Sequence, residues 1–254
     1  MALVQIKIPN QLLVPFGGPK WSIERISVVG VSSTGTYIQS DTPLAYIDRS
    51  QQIALRLRNF TNVMPGDWPP VFDAHEALAI VQKSLRENCE VSTDSERRFL
   101  DLYFDYIRKS MAPPTYLTRS QTERKSWRAP YDNDDWMFEA LLPLPQAHLY
   151  QSNPLDDTFS FAPNRMMKVD FAFWTGKRIL AIEIDGGSHI GSEAHIEKDR
   201  LLQRSGIHVV HILNSEIAKH GMKVIERLLP PELTRFWSTP EKDYRANPFD
   251  DIPF

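Results

Sequence analysis

Three acids stand where a buried strand should carry none. Asp170 interrupts the apolar run of Val169, Phe171 and Phe173. Glu183 and Asp185 interrupt that of Ile179, Leu180, Ala181, Ile182 and Ile184. Between the runs lies Gly176-Lys177, and a two-residue hairpin loop is a connection that glycine favours. Closing the loop there pairs Thr175 with Arg178, and counting back along both strands sets Asp170 opposite Glu183. Asp185 follows Glu183 by two residues and so points to the same face. Like charges facing each other across a sheet destabilise it, and burying them unpaired is costly. A divalent cation turns that liability into a site, because carboxylate oxygens are the ligands Mg²⁺ takes. The alternative is a solvated sheet edge, against which the nearly continuous apolar flanks argue.

Two further residues fall close to these acids in the sequence. His189 comes four residues after Asp185, beyond Gly186-Gly187. It could serve as general acid or base, or be an ordinary polar residue. Lys198 could bring a cation in from the following helix, or lie on a solvated helix face beside Glu197. Ser188 has no nucleophile-elbow context, and zinc-type Cys/His spacing and Gly-rich phosphate loops are both missing from the sequence.

The elements that must position these residues are readable in outline. Residues 1–70 hold short alternating stretches at 22–29 and 52–57 among Gly, Pro, Ser and Thr, which predicts a small β-rich unit. Residues 73–90 predict a helix, with Ala77, Leu78, Ile80, Val81 and Leu85 at helical spacing. Thr93-Asp94-Ser95-Glu96 fits a capping box that opens a second helix, striped by Phe99, Leu100, Tyr103, Phe104 and Ile107. Residues 111–135 are polar and carry Arg119, Arg124, Lys125, Trp127 and Arg128. Such a stretch could contact nucleic-acid phosphates and stack a base, or be solvated loop. A first strand is expected within 137–150, where Pro143, Pro145 and Gln146 suit an edge or a strand entry. A helix over 192–205 with Gly206 as its C-cap, a buried strand over 207–213 and a helix over 217–229 stopped by Pro230-Pro231 complete the order.

The set of Asp170, a hairpin, Glu183-Ile184-Asp185-Gly186 with His189, and a helix carrying Lys198-Asp199-Arg200 resembles the PD-(D/E)XK, or restriction-endonuclease-like, superfamily. Its small Vsr-like branch, in which an Asp often replaces the motif lysine, is the nearest likeness. The resemblance covers roughly residues 93–228. It implies an α/β restriction-endonuclease-like core, a mixed central sheet flanked by helices, and the small β-containing N-terminal unit lies outside it. The divisions expected are 1–90 as accessory unit, 91–235 as nuclease domain and 236–254 as tail. It also implies hydrolysis of phosphodiester bonds in DNA, endonucleolytic rather than exonucleolytic, with Mg²⁺ as cofactor and Mn²⁺ substituting. The motif aspartate maps onto Asp170, the glutamate onto Glu183, and Asp185 takes the lysine's place. A first-helix glutamate in that family often reaches the metal, which sets a role as ligand for Glu96 beside its role in the capping box. Related sequences also often carry a polar residue near Gln146. Catalytic candidates are then Asp170, Glu183, Asp185, His189 and Lys198; Arg124, Lys125, Trp127 and Arg128 are candidates for nucleic-acid contact.

Bulk properties limit the alternatives. The 254 residues, 42% hydrophobic and 24% charged, are ordinary for a globular protein. A single cysteine, Cys89, excludes an internal disulfide and fits a reducing compartment. With no long apolar run and no signal-peptide pattern, the cytoplasm is the expected location. The net charge of −3 supplies no global attraction to nucleic acid, so phosphate binding must come from local patches and metal.

The last residues, Asp250-Asp251-Ile252-Pro253-Phe254, resemble the acidic tip of bacterial single-stranded-DNA-binding proteins. In that family the terminal Phe enters an apolar pocket on replication and repair enzymes while its carboxylate meets a basic residue. The resemblance implies a docking tail on a nuclease of repair or of defence against foreign DNA. It equally allows a catalytically inactive adaptor or inhibitor that mimics the tail. Removing Phe254, or extending the chain beyond it, is expected to abolish capture of a host protein that recognises such tips. Either change should leave cleavage of naked DNA intact. The lost ring is worth about 2–4 kcal/mol as a hot-spot aromatic, which is tenfold or more in affinity at ~1.4 kcal/mol per decade. A pull-down in which truncated and full-length chains recover the partner equally would remove the docking role.

Overall fold

Among the described residues, strands before and after a pair of central helices form three sheets, and there are five α-helices in all. The computed structural model describes residues 2–6, 11–17, 26–32, 35–40, 43–48, 51–60, 73–90, 94–111, 135–149, 168–186 and 192–230. The predicted residues Arg124, Lys125, Trp127, Arg128, His189 and the tip from Asp250 to Phe254 lie outside them. Strands β1 (Ala2–Ile6), β3 (Ile26–Ser32) and β4 (Gly35–Ser40) form an antiparallel sheet with β4 in the middle. Strands β2 (Gln11–Pro15) and β5 (Leu44–Asp48) pair antiparallel beside it in the sequence. The strand expected at 52–57 does not form. Arg56 makes an isolated bridge with Leu141 and a 3-10 turn follows at Leu57–Asn59. The reason is where its backbone bonds go. Leu55 N–H donates to Trp174 O at 3.1 Å, Leu57 N–H to Ala140 O at 2.9 Å, and Leu142 N–H to Leu55 O at 2.9 Å. The segment is a strap held between Trp174 on one side and residues 140–142 on the other.

Helix α1 (Ala74–Glu87) begins as predicted, its N-cap Asp73 accepting the Glu76 N–H at 2.9 Å. Helix α2 (Asp94–Ser110) buries the predicted stripe of Phe99, Leu100, Tyr103, Phe104 and Ile107. The strand expected within 137–150 forms in its second half. A 3-10 turn occupies Asp135–Glu139 and strand β6 runs over Leu144–His148.

The sheet that carries the acids has the order β6, β7 (Lys168–Trp174), β8 (Ile179–Asp185), β9 (His208–Leu213). The first two junctions are antiparallel and the last is parallel, which makes it a four-stranded mixed sheet flanked by helices. A parallel neighbour requires a crossover, and helix α3 (Glu193–Arg204) supplies it. Its end is a Schellman turn: Gly206, at φ +75°, donates to Gln203 O, and Ile207 N–H reaches Leu202 O at 3.0 Å. The helix expected at 217–229 splits into α4 (Asn214–His220) and α5 (Lys223–Leu228), because Gly221 between them sits at φ +53°.

One face of the sheet packs on α2: the rings of Phe99 and Phe171 are 5.0 Å apart, those of Tyr103 and Phe173 5.5 Å. Alternation therefore turns Asp170 to the opposite face. A single apolar core runs from Val14 and Phe16 through these residues to Ile225 and Leu229. Hydrogen bonds from Gly17 to Pro145 O, at 2.9 Å, and from Trp174 Nε1 to Ile53 O, at 2.7 Å, cross the division expected at residue 90.

The hairpin turn locks the strap. Gly176 is buried at φ +88°, and a Cβ there would lie 2.3 Å from Gln52 O. Gly176→Ala should therefore lose about 2–3 kcal/mol of stability, strain and clash combined. Urea denaturation checks this; an unchanged midpoint would show that the 51–57 strap yields freely.

Candidate active site

Strands β7 and β8 keep one register from Trp174–Ile179 to Phe171–Ile182, and Thr175 N–H reaches Arg178 O at 3.1 Å, as the loop position required. One step further, Asp170 stands opposite Glu183. At that step the ladder gives way to a side chain: Asp170 Oδ2 accepts the Ile184 N–H at 2.7 Å. Burial raises the Asp170 carboxyl above its usual range, and the neighbouring Asp185 raises it further. The Ile184 N–H, Lys198 and Lys168 pull the other way.

Glu183 is only 7% exposed. Lys198 Nζ lies 2.5 Å from its Oε1, a close ion pair reaching in from α3. Even so, burial pushes the Glu183 carboxyl up to about 8, helped by Asp170 and Asp185. On the same face His148 is held down to about 4 by burial and by the charges of Lys168 and Lys198. Two carboxyls that resist ionisation beside two lysines suit a cation or a phosphate.

Asp185 turns toward histidines. Its Oδ2 is 2.8 Å from His211 Nδ1, and its Oδ1 is 4.0 Å from His195 Nδ1. His211 Nε2 in turn lies 3.0 Å from Asp199 Oδ2. Asp185, His195 and His211 each offer one donor atom within 4.8 Å of the others, a possible metal-binding triad. The predicted oxygen set of Asp170, Glu183, Asp185 and Glu96 does not gather three donors so closely among the described residues.

The Glu96 carboxylate has other partners. Its Oε2 accepts the Glu90 N–H at 2.9 Å and Gln146 Nε2 at 2.8 Å. Thr93, the expected N-cap of the capping box, lies outside the described residues. Gln146 continues the β6–β7 register opposite Asp170, yet it sits at φ +50°, in the left-handed region. That turn breaks the alternation and sends its side chain to Glu96 on α2, across the sheet from Glu183.

Sequence reasoning missed His195, His211, Asp199 and His148. His211 carried the same signal as the acids, a polar residue inside a buried strand, and in the parallel ladder it pairs directly with Glu183. His195, Lys198 and Asp199 stand at i, i+3 and i+4 on α3, hence on one face. Comparison with family models, with curated proteins and with solved structures gave no match.

The titrations make opposite contributions to stability. Glu183, raised from 4.5 to about 8, favours the folded state at low pH and loses that contribution as pH rises through this window. His148, lowered from 6.5 to about 4, adds stability as pH rises between those values. The two oppose each other up to pH 6.5, and above it His148 no longer offsets Glu183. The metal-free protein should lose about 1–2 kcal/mol between pH 6.5 and 8, and Glu183→Gln should abolish that decline. Thermal melts across this range check it; an equal slope in wild type and variant would show that Glu183 is ionised throughout.

Proposed function

We propose that the chain is a divalent-metal-dependent nuclease with a restriction-endonuclease-like core, cutting DNA internally. The observation that carries this reading is the pair of carboxyls, Asp170 and Glu183, facing across β7 and β8 with Lys198 ion-paired to one of them. Both acids are held above their usual range by burial. That is the environment in which a carboxylate gains most from a cation. Asp170 and Glu183 would hold Mg²⁺, or Mn²⁺ in its place. The ion would polarise the scissile phosphate and lower the pKa of a bound water.

The protein's own groups have separable tasks. Asp170 is oriented by the bond from the Ile184 N–H to its Oδ2, and its Oδ1 would be the oxygen offered to the ion. Lys198 supplies, from α3, the cation that a lysine in place of Asp185 would otherwise give. It is positioned to balance charge on a phosphate oxygen. Lys168 adds positive potential on the same face, which a chain of net charge −3 needs locally. The tip from Asp250 to Phe254 would then bring the enzyme to partners that work on DNA.

The test is a panel of single- and double-stranded DNA and RNA with Mg²⁺, Mn²⁺ or EDTA. Asp170→Asn and Glu183→Gln should each lose at least about 100-fold in rate, and Lys198→Ala a comparable amount, with unchanged circular dichroism. Full activity of either acid variant under Mg²⁺ would refute the site, and activity in EDTA would refute the metal.

A further inference from the structure

Asp185, His195 and His211 come from three different elements, β8, α3 and β9, and meet on the face that α3 covers. We propose that these three residues bind a first-row transition-metal ion such as Zn²⁺, distinct from the oxygen-liganded ion assigned to Asp170 and Glu183. The donor chemistry points this way: imidazole nitrogen suits zinc and its neighbours, whereas Mg²⁺ selects oxygen.

The arrangement around His211 gives the sharper reason. Both of its ring nitrogens face carboxylates, Nδ1 at 2.8 Å from Asp185 and Nε2 at 3.0 Å from Asp199. A neutral imidazole carries one N–H and one lone pair, so it can donate to only one of them. With the proton on Nε2, given to Asp199, the Nδ1 lone pair confronts the Asp185 oxygen, acceptor against acceptor. A cation answers that confrontation. The resulting order of carboxylate, histidine and metal is the usual way in which an outer carboxylate sets the tautomer of a ligating histidine.

His195 completes the set. Its ring lies 4.6 Å from that of His211, and its Nδ1 is 4.0 Å from Asp185 Oδ1, too far for a hydrogen bond. Donors sharing one tetrahedral Zn²⁺ lie about 3.3 Å apart, so donors that now lie within 4.8 Å of one another must close by up to roughly 1.5 Å to share the ion. Three protein ligands leave a coordination position open, as in sites that do chemistry. Side-chain exposures of 18% for His195, 12% for Asp185 and 31% for His211 leave a path for the ion.

The experiment uses the full chain, stripped with chelator and titrated with Zn²⁺ by calorimetry and with Co²⁺ by visible absorption. Expected are saturable Zn²⁺ binding that excess Mg²⁺ does not displace and Co²⁺ bands of nitrogen–oxygen coordination. His195→Asn and His211→Asn should each weaken binding at least tenfold, and Asp199→Asn by about 10- to 100-fold, with circular dichroism confirming the fold of each. Asp170→Asn should leave the Zn²⁺ isotherm unchanged, which separates this site from the proposed nuclease centre. Absence of saturable Zn²⁺ and Co²⁺ binding in the wild type overturns the proposal, and so does wild-type affinity in both folded histidine variants. Because binding is read without nucleic acid, inactivity toward DNA leaves the metal result standing.

Discussion

Glu183 cannot be both buried and charged without a cation close by, and much of the architecture around it follows. Lys198 meets that need from α3. Of that helix only Leu202 is fully buried and Leu201 packs partly against the core, a narrow apolar contact for a twelve-residue helix. What attaches it is polar: Lys198 to Glu183, Asp199 to His211, and His195 beside Asp185. The placement of the crossover helix therefore depends on the charge state of the acids beneath it. Whatever occupies those acids also acts on the helix, since a cation that replaces Lys198 as the partner of Glu183 frees the lysine for a phosphate.

Much of this was legible in the sequence because one loop determined the register. Once Gly176-Lys177 turned the chain, a two-residue period carried the assignment along both strands to Asp170 and Glu183. Helix ends marked by local chemistry were legible too, as at Asp73 and Gly206. What failed depended on partners far away in the sequence. The alternating residues 52–57 looked like a strand, but their backbone bonds go to Trp174, Ala140 and Leu142. Glu96 carried two local readings, a helix cap and a metal ligand, and neither pointed to Gln146, 50 residues on, which donates to its carboxylate. The histidines were overlooked because a lone histidine has little meaning until a parallel ladder sets it beside an acid.

Gln146 shows how the two faces of the sheet are linked. A non-glycine residue at φ +50° is uncommon and is kept only where its surroundings over-determine it. Here the surroundings are Glu96 on α2 and the strand position opposite Asp170. A regular strand would aim Gln146 at the acids and leave a buried Glu96 without this donor. The left-handed turn spends backbone strain to satisfy the carboxylate on the far side. It also leaves the space beside Asp170 free of an amide.

The strand period also explains how one face can hold two kinds of cation chemistry. Glu183 and Asp185 share the face but are about 6.6 Å apart along β8, two residues at about 3.3 Å each. Glu183 has a carboxyl across the strand junction and a lysine above it, an oxygen-rich setting that suits a hard ion. Asp185 has two imidazoles, a setting that suits a softer one. Lys198 lies between His195 and Asp199 in sequence and on the same side of α3, so the helix that reaches the first setting also supplies a ligand to the second. An ion bound at the histidines would fix α3 against β8 and β9 without drawing on Lys198. The lysine would then be positioned by coordination rather than by its own ion pair, as the proposed nuclease reading, in which it leaves Glu183 for a phosphate, would require.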